Sequence, residues 1–188
     1  MNNVKILAIV GMSGSGKSVV VDHLTAKGYP KVYFGGMIYK EMEKRGILRT
    51  DDGESEKKFR EEIRQTEGTD WVVRQVIEEV HDLIDAGQKR IILDGVYSWT
   101  EYKALKHEFP GCMIFLAVVV DKNLRYARVA KRPERAFDYN AIRERDRSEI
   151  ENLEKGGPIV AADYYALNNG TIKELTARVD EILKEADF

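Results

Sequence analysis

An apolar run, Val4 to Val10, leads straight into Gly11-Met12-Ser13-Gly14-Ser15-Gly16-Lys17-Ser18, which reads G-x-x-x-x-G-K-S. No other segment restricts the fold as strongly. The run has strand character, and Lys17, Ser18, Val20 and Leu24 open a helix behind the turn. A glycine-rich turn between strand and helix converges its backbone N–H groups on one point, where the helix end adds partial positive charge. Gly11, Gly14 and Gly16 supply backbone conformations that a Cβ would obstruct. Lys17 can then reach the β- and γ-phosphates of a nucleotide, and the Ser18 hydroxyl can ligate Mg²⁺. At ordinary glycine usage the four fixed positions match by chance only about 0.01 times in such a chain. Nucleotide phosphate binding by residues 11–18 is the expectation.

Composition narrows the rest. The 188 residues are 43% hydrophobic and 33% charged, with a formal net charge of −2. That suits one α/β domain with a substantial core, and it lacks the basic excess of a whole-protein nucleic-acid footprint. The single Cys112 excludes an intramolecular disulfide framework and a multi-cysteine zinc site; it precedes an apolar run and reads as a buried thiol. His23, His81 and His107 show no metal-ligand spacing. The first apolar run is too short for a membrane span, and its continuation into the phosphate turn marks a core strand rather than a secretion signal. A cytoplasmic protein without a membrane partner is expected.

Five apolar runs predict strands: Val4–Val10, Lys31–Phe34, Arg90–Leu93, Met113–Val120 and Tyr164–Leu167. Several are unbroken rather than alternating, as when helices cover both faces of a sheet. Helices are predicted at Met37–Arg45, Ser55–Gln65, Asp70–Ala86, Thr100–Phe109, Asn123–Arg132, Tyr139–Leu153 and Thr171–Ala186. Val73, Ile77, Val80 and Ile84 share a face of one; Ile172, Leu175, Val179 and Ile182 form the stripe of the last, with Thr171 as its N-cap. Alternating strands and helices predict right-handed crossovers and a parallel sheet. A loop is expected at Arg49–Gly53, and no repeat or domain boundary is visible.

Two further constellations carry chemistry. Asp94 ends a predicted strand, where a carboxylate can hold a Mg²⁺ water or orient an attacking group, or simply cap the next turn. Arg125, Arg128 and Arg132 recur at helical spacing, and Arg132-Pro133-Glu134-Arg135 reads as the turn of a lid closing guanidinium groups over a migrating phosphoryl group. Arg143, Arg145 and Arg147 read instead as a solvated face paired with acidic neighbours. Gly35-Gly36 either admits a ligand or makes a tight turn. Trp71 and Trp99 read as packing residues.

The phosphate loop, Gly36-Met37-Ile38-Tyr39, Asp94-Gly95-Val96-Tyr97-Ser98, the arginines and Ala162-Asp163…Asn168-Asn169-Gly170-Thr171 together resemble the P-loop nucleotide kinases. Within that group the chain is similar to nucleoside monophosphate kinases and, toward its C-terminus, to dephospho-CoA kinases, and most of all to an archaeal-type set related to both. The likeness runs from about residue 4 to residue 183. It implies a three-layer α/β sandwich with a five-stranded parallel sheet in the order 2-3-1-4-5. The whole chain, 1–188, is then one kinase domain with an acceptor-binding helical insertion at about 36–86 and an arginine-rich lid at about 125–147.

By the same resemblance the cofactors are ATP and Mg²⁺, and the partner is a small phosphate acceptor of nucleoside monophosphate or dephospho-CoA type. Lys17, Asp94, Arg128, Arg132 and Arg135 would be catalytic; Gly11 to Ser18 would hold phosphates, Ser18 and Asp94 the metal, and Asn168 and Gly170 the adenine side. Gly36, Tyr39, Lys40, Arg74 and Tyr97 would face the acceptor. Where adenylate kinase-like chains carry G-D-M-L-R, this one has Gly35-Gly36-Met37-Ile38-Tyr39; where the archaeal set has D-G-V-R-S, it has Asp94-Gly95-Val96-Tyr97-Ser98. Tyrosine cannot form the bidentate charged clamp of an arginine, which leaves Lys40 or Arg74 as substitutes. Two other readings stay open: a nucleotide-binding regulatory ATPase module without an acceptor, and a polynucleotide-end kinase using the arginine patch. No N-K-x-D segment points to a GTPase.

Overall fold

Isoleucine, leucine and valine on both faces of a strand demand cover from both sides. In β1 (Lys5–Val10), Ile6, Ala8 and Val10 enter one apolar core while Leu7 and Ile9 enter another. β3 (Arg90–Asp94) and β4 (Met113–Val119) divide in the same way, with Ile91, Leu93, Phe115 and Ala117 against Ile92, Leu116 and Val118. β2 (Lys31–Tyr33) and β5 (Tyr164–Leu167) form the edges of a five-stranded sheet, order β2-β3-β1-β4-β5, with every pairing parallel. The computed structural model describes residues 3–50, 54–132 and 138–188.

One face of the sheet is covered by α1 (Lys17–Ala26) and α9 (Ile172–Glu185). The other is covered by α2 (Phe34–Lys44), α3 (Glu54–Thr66), α4 (Trp71–Asp85) and α5 (Trp99–Glu108), where Trp71 and Cys112 are buried as expected. α6 (Lys122–Ala130) and α7 (Tyr139–Glu151) pack on each other through Tyr126, Val129 and Ile142, and α8 (Gly156–Val160) returns the chain to β5. Among the largest fully buried side chains are Phe34, Phe109 and Phe115, each stabilising the fold by about 1.5–3 kcal/mol relative to exposure.

The predicted strands, and the strand order implied by the resemblance, are observed; the differences are local and have physical reasons. α2 begins at Phe34, three residues early, and takes Gly35 and Gly36 into its first turn. Both are glycine because the Tyr33 side chain lies across them: a Cβ on Gly35 would sit 2.5 Å from the Tyr33 hydroxyl oxygen. α9 has the capping box of Thr171 with Glu174, but Ile172, at its first helical position, is 66% exposed and Leu183 completes the buried stripe. α8 was not anticipated, since Gly156-Gly157-Pro158 looks like a breaker run. It forms because a residue without a side chain at 157 lets the helix lie against Trp99, itself stacked on Tyr102 at 4.7 Å.

Parallel strands bring their carboxyl ends to one edge. Gly11 after β1, Asp94 at the end of β3 and Asn168 after β5 therefore meet there. Gly157→Val should force α8 away from Trp99, because a Cβ at 157 already lies 2.8 Å from the ring. The thermal midpoint should fall by an amount equivalent to about 1–3 kcal/mol; an unchanged midpoint would show that Trp99 does not dictate this glycine.

Candidate functional site

Gly11, Gly14 and Gly16 have φ of 148°, 85° and 105°, in the region that L side chains avoid. Space excludes side chains there as well. A Cβ on Gly11 would meet the Val118 carbonyl oxygen at 2.5 Å and the buried Ser15 hydroxyl at 2.6 Å; one on Gly14 would collide with Val129, and one on Gly16 with Asn168. The carbonyl oxygens of the turn are held from outside. Lys17 Nζ donates to Gly11 and Met12 at 2.9 and 3.0 Å, Arg125 donates to Ser13 at 2.8 Å, and Asn168 Nδ2 donates to Ser15 at 2.8 Å. With its carbonyls engaged, the turn presents the other side of its peptide groups inward. The N–H groups of Gly14, Gly16, Lys17 and Ser18 have no acceptor among the described residues, as for any helix start awaiting an anion.

Lys17 is half-buried, and its hydrogen-bond partners are carbonyls rather than a carboxylate. Burial, with Lys155 as the next cause, lowers its pKa to about 7. A desolvated lysine of this kind is a receptor for negative charge. Asp94 stands at the end of β3, opposite Ile9 and Tyr33 in the sheet, and burial raises its pKa despite Lys31 and Lys17 nearby. The Ser18 residue is exposed in the first turn of α1. A Mg²⁺ bound through one hydroxyl, one carboxylate's water and phosphate oxygens fits this donor set, and no group of three or more His, Cys, Asp or Glu side chains gathers among the described residues.

The arginines separate into different tasks. Arg132 places an amino group 3.7 Å from where a Gly14 side chain would start, so it stands over the loop. Arg128 donates to the carbonyl oxygens of Asn168 and Gly170 and ties down the segment after β5. Arg135 lies outside the described residues. Arg125 is buried, bound through both amino groups to Asp146, which also accepts from the Tyr126 hydroxyl at 2.9 Å. Arg147 pairs with Glu151 on an exposed face, as expected.

Of the expected acceptor residues, Tyr39 packs against the core with the Arg49 guanidinium 4.2 Å above its ring. Tyr97 is partly buried with the Lys155 ammonium 4.9 Å from its ring centre, and its N–H donates to the half-buried Glu101 at 2.6 Å. Burial holds the Glu101 pKa at about 7. Lys40 pairs with Glu79, and Arg74 with Asp70 and the Glu67 carbonyl oxygen, along the α2–α4 side. At both positions where the resemblance puts an arginine, the tyrosine instead carries a cation from another segment.

Three residues that sequence reasoning passed over belong to the site: Asp146, Glu149 and Lys155. The Ser13 N–H donates to Glu149 Oε2 at 3.1 Å, and Lys155 Nζ lies 3.0 Å from the same oxygen. Arg145 Nε reaches the other oxygen at 3.2 Å. Burial raises the Glu149 pKa, but Lys155, the Ser13 N–H and Arg145 together take it below the usual carboxylate range; burial lowers that of Lys155. The one available signal was spacing: Ile142, Asp146 and Glu149 share the buried face of α7.

A family model described as an AAA domain matches residues 7–153. A UPF0200 protein of Thermococcus kodakarensis is 32% identical over 186 residues, covering 96% of this chain and 97% of its own. The chain belongs to the UPF0200 family. Solved structures show the same fold: a shikimate kinase from Bacteroides thetaiotaomicron has a TM-score of 0.59 at 11% identity, over 96% of this chain and 98% of its own. A gluconokinase from Sinorhizobium meliloti has a TM-score of 0.55 at 17% identity over 100% of both. The fold is that of the P-loop kinases.

Two outcomes follow. Asp146→Ala leaves the buried Arg125 uncompensated and should cost about 3 kcal/mol or more in denaturant unfolding; a loss under about 1 kcal/mol would mean that Arg125 finds another anion. The second concerns protons. Because Lys17 titrates near 7 when folded and near 10.5 otherwise, the unfolded chain binds more protons between these values, and this group alone makes stability rise with pH across that window. Phosphate beside Lys17 restores its charge, so Mg²⁺–ATP binding at about pH 8.5 should take up about one proton, falling toward zero below about pH 6. Calorimetry in buffers of different ionisation enthalpy measures this, and zero uptake at the higher pH would contradict it.

Proposed function

We propose that this chain is a small-molecule kinase that moves the terminal phosphoryl group of ATP, with Mg²⁺, to a small nucleotide-like acceptor of the nucleoside monophosphate or dephospho-CoA type. The observation that carries the reading is the half-buried Lys17 ammonium, whose partners among the described residues are loop carbonyls, in a turn that leaves four N–H groups without an acceptor among those residues. Such a site favours an anion with several oxygens, and the P-loop kinase fold supports the choice of a nucleotide tail.

The roles follow from position. The amides of residues 13–18 and Lys17 would hold the β- and γ-phosphates, with Lys17 exchanging its two carbonyl partners for phosphate oxygens. Bound Mg²⁺ would supply charge neutralisation of the phosphates; Ser18 and, through water, Asp94 would hold it. Arg132, over Gly14, would offset charge on the migrating group. Arg128 fixes the Asn168–Gly170 segment, which would border the purine. Asp94, opposite Ile9 in the sheet, would alternatively orient the attacking oxygen. Solved structures with this fold include a shikimate kinase and a gluconokinase, which supports transfer to a small molecule over action on a polymer end.

Coupled ADP-release assays against nucleoside monophosphates and dephospho-CoA, with mass analysis of the product, test the reading directly. Lys17→Met should lower turnover by about 100-fold or more. Phosphotransfer within a few-fold of the parent protein in that variant would refute the assignment.

A further inference from the structure

The Glu149–Lys155 pair sits where a kinase needs neither of its charges buried for stability. Lys155 is 2% exposed and Glu149 6% exposed. Burying such a pair recovers little free energy compared with apolar residues of the same volume. The chain also distorts itself to bring Lys155 in. Glu154, just ahead of it, adopts φ of 51°, a left-handed conformation unfavourable for a glutamate, and the Lys155 N–H then turns back to the Glu149 carbonyl oxygen at 3.1 Å. Strain of this kind, held in place by surrounding contacts, gathers at functional positions.

What the pair does is visible at one atom. Glu149 Oε2 accepts from the Ser13 N–H at 3.1 Å and from Lys155 Nζ at 3.0 Å. Ser13 belongs to the phosphate loop, and its amide is the one that the protein's own carboxylate has already engaged. An anionic oxygen held between a loop amide and an ammonium group is what a terminal phosphate oxygen would be in the same place. Lys155 also packs on Tyr97, which occupies the position of an acceptor arginine in the related sequences. Its ammonium therefore stands between the donor loop and the acceptor side. The other oxygen of Glu149 accepts from Arg145, whose side chain is 46% exposed, so the carboxylate is also held from the solvent side.

We propose that Lys155 is a second lysine of the phosphate site, and that Glu149 Oε2 holds the place of a terminal phosphate oxygen until a triphosphate displaces it. This rests on the kinase reading above and extends it. No bond is made or broken in the exchange: Ser13 N–H and Lys155 Nζ pass from carboxylate to phosphate, and Glu149 leaves with Arg145. Lys155 is then free to follow the terminal phosphoryl group toward the acceptor, supplying the charge that Tyr97 cannot. A diphosphate, lacking the terminal group, leaves the pair intact. The site thereby distinguishes a loaded donor from a spent one.

Glu149→Gln keeps the shape and removes the competing charge. A non-hydrolysable β,γ-methylene ATP analogue should bind it about 5–20-fold more tightly than the parent, while ADP changes by less than about twofold. Its thermal midpoint without ligand should fall, and the rise given by the analogue should exceed that of the parent protein. In Glu149→Gln/Lys155→Met, which buries no unpaired charge, the preference for the analogue over ADP should drop about tenfold below the parent's. Equal changes in analogue and ADP affinity for Glu149→Gln, or a parental ratio in the double variant, would overturn the proposal while leaving the kinase reading standing. Should the double variant not fold, the single variant decides alone. Failure of the parent protein to bind either nucleotide would sink the kinase reading, and this proposal with it.

Discussion

The peptide groups of the first turn are oriented by side chains that hold its carbonyl oxygens, which leaves the N–H groups of Gly14, Gly16, Lys17 and Ser18 without an acceptor among the described residues. Four carbonyl oxygens, at Gly11, Met12, Ser13 and Ser15, are taken by Lys17, Arg125 and Asn168. The three donors come from distant parts of the chain: the start of α1, the helix after β4 and the segment after β5. A parallel sheet with β1 at its centre is what brings those ends together. The loop is thus a product of the whole fold, although its sequence is eight residues long.

The dependence runs outward. Arg125 can donate to Ser13 only while Asp146 satisfies the rest of its guanidinium, and Asp146 is set by α7, whose contact with α6 is a small cluster of Tyr126, Val129 and Ile142. Close packing of that helix pair needs Gly14 bare, because Val129 fills the space beside it. The loop, the α6–α7 pair and the segment after β5 are therefore mutually adjusted: a change in one alters where the others can stand. Arg128 and Asn168 repeat the arrangement on the other side, with Gly16 bare beneath the Asn168 amide.

This explains which parts of the molecule could be read from the chain. The turn was legible because glycine at three fixed places encodes a local backbone shape, and the strands because apolar runs need no partner to be recognised. Trp71 and Cys112 were readable from apolar context. The Arg143–Arg147 run was read as a solvated face, and Arg147 bears that out. Asp146 and Glu149, on the same helix, do the opposite. Asp146 reaches Arg125 21 positions away and Glu149 the Ser13 N–H 136 positions away, and no local pattern distinguishes a carboxylate bound for such a partner from one bound for water. α8 was invisible for a related reason: Gly157 has a bare α-carbon because of Trp99, a contact made across the fold.

The two tyrosines at arginine positions show why residue identity at a motif can mislead about the chemistry present. Arginine there would contribute a charge from the motif itself. Here Tyr39 and Tyr97 each form an aromatic platform, and a cation arrives on it from elsewhere, Arg49 on one and Lys155 on the other. Attraction between ring and cation is worth about 0.5–2 kcal/mol, too little to hold a buried charge by itself. Lys155, which is buried, accordingly has a carboxylate as well, Glu149, while the exposed Arg49 pairs with Glu56. A cation held by a weak platform and one exchangeable carboxylate is easier to redirect than an arginine locked into a bidentate pair such as Arg125 with Asp146. The ion pairs thus differ in kind: Arg125 is bound through both amino groups to Asp146, whereas Lys155 has one carboxylate oxygen and a ring face.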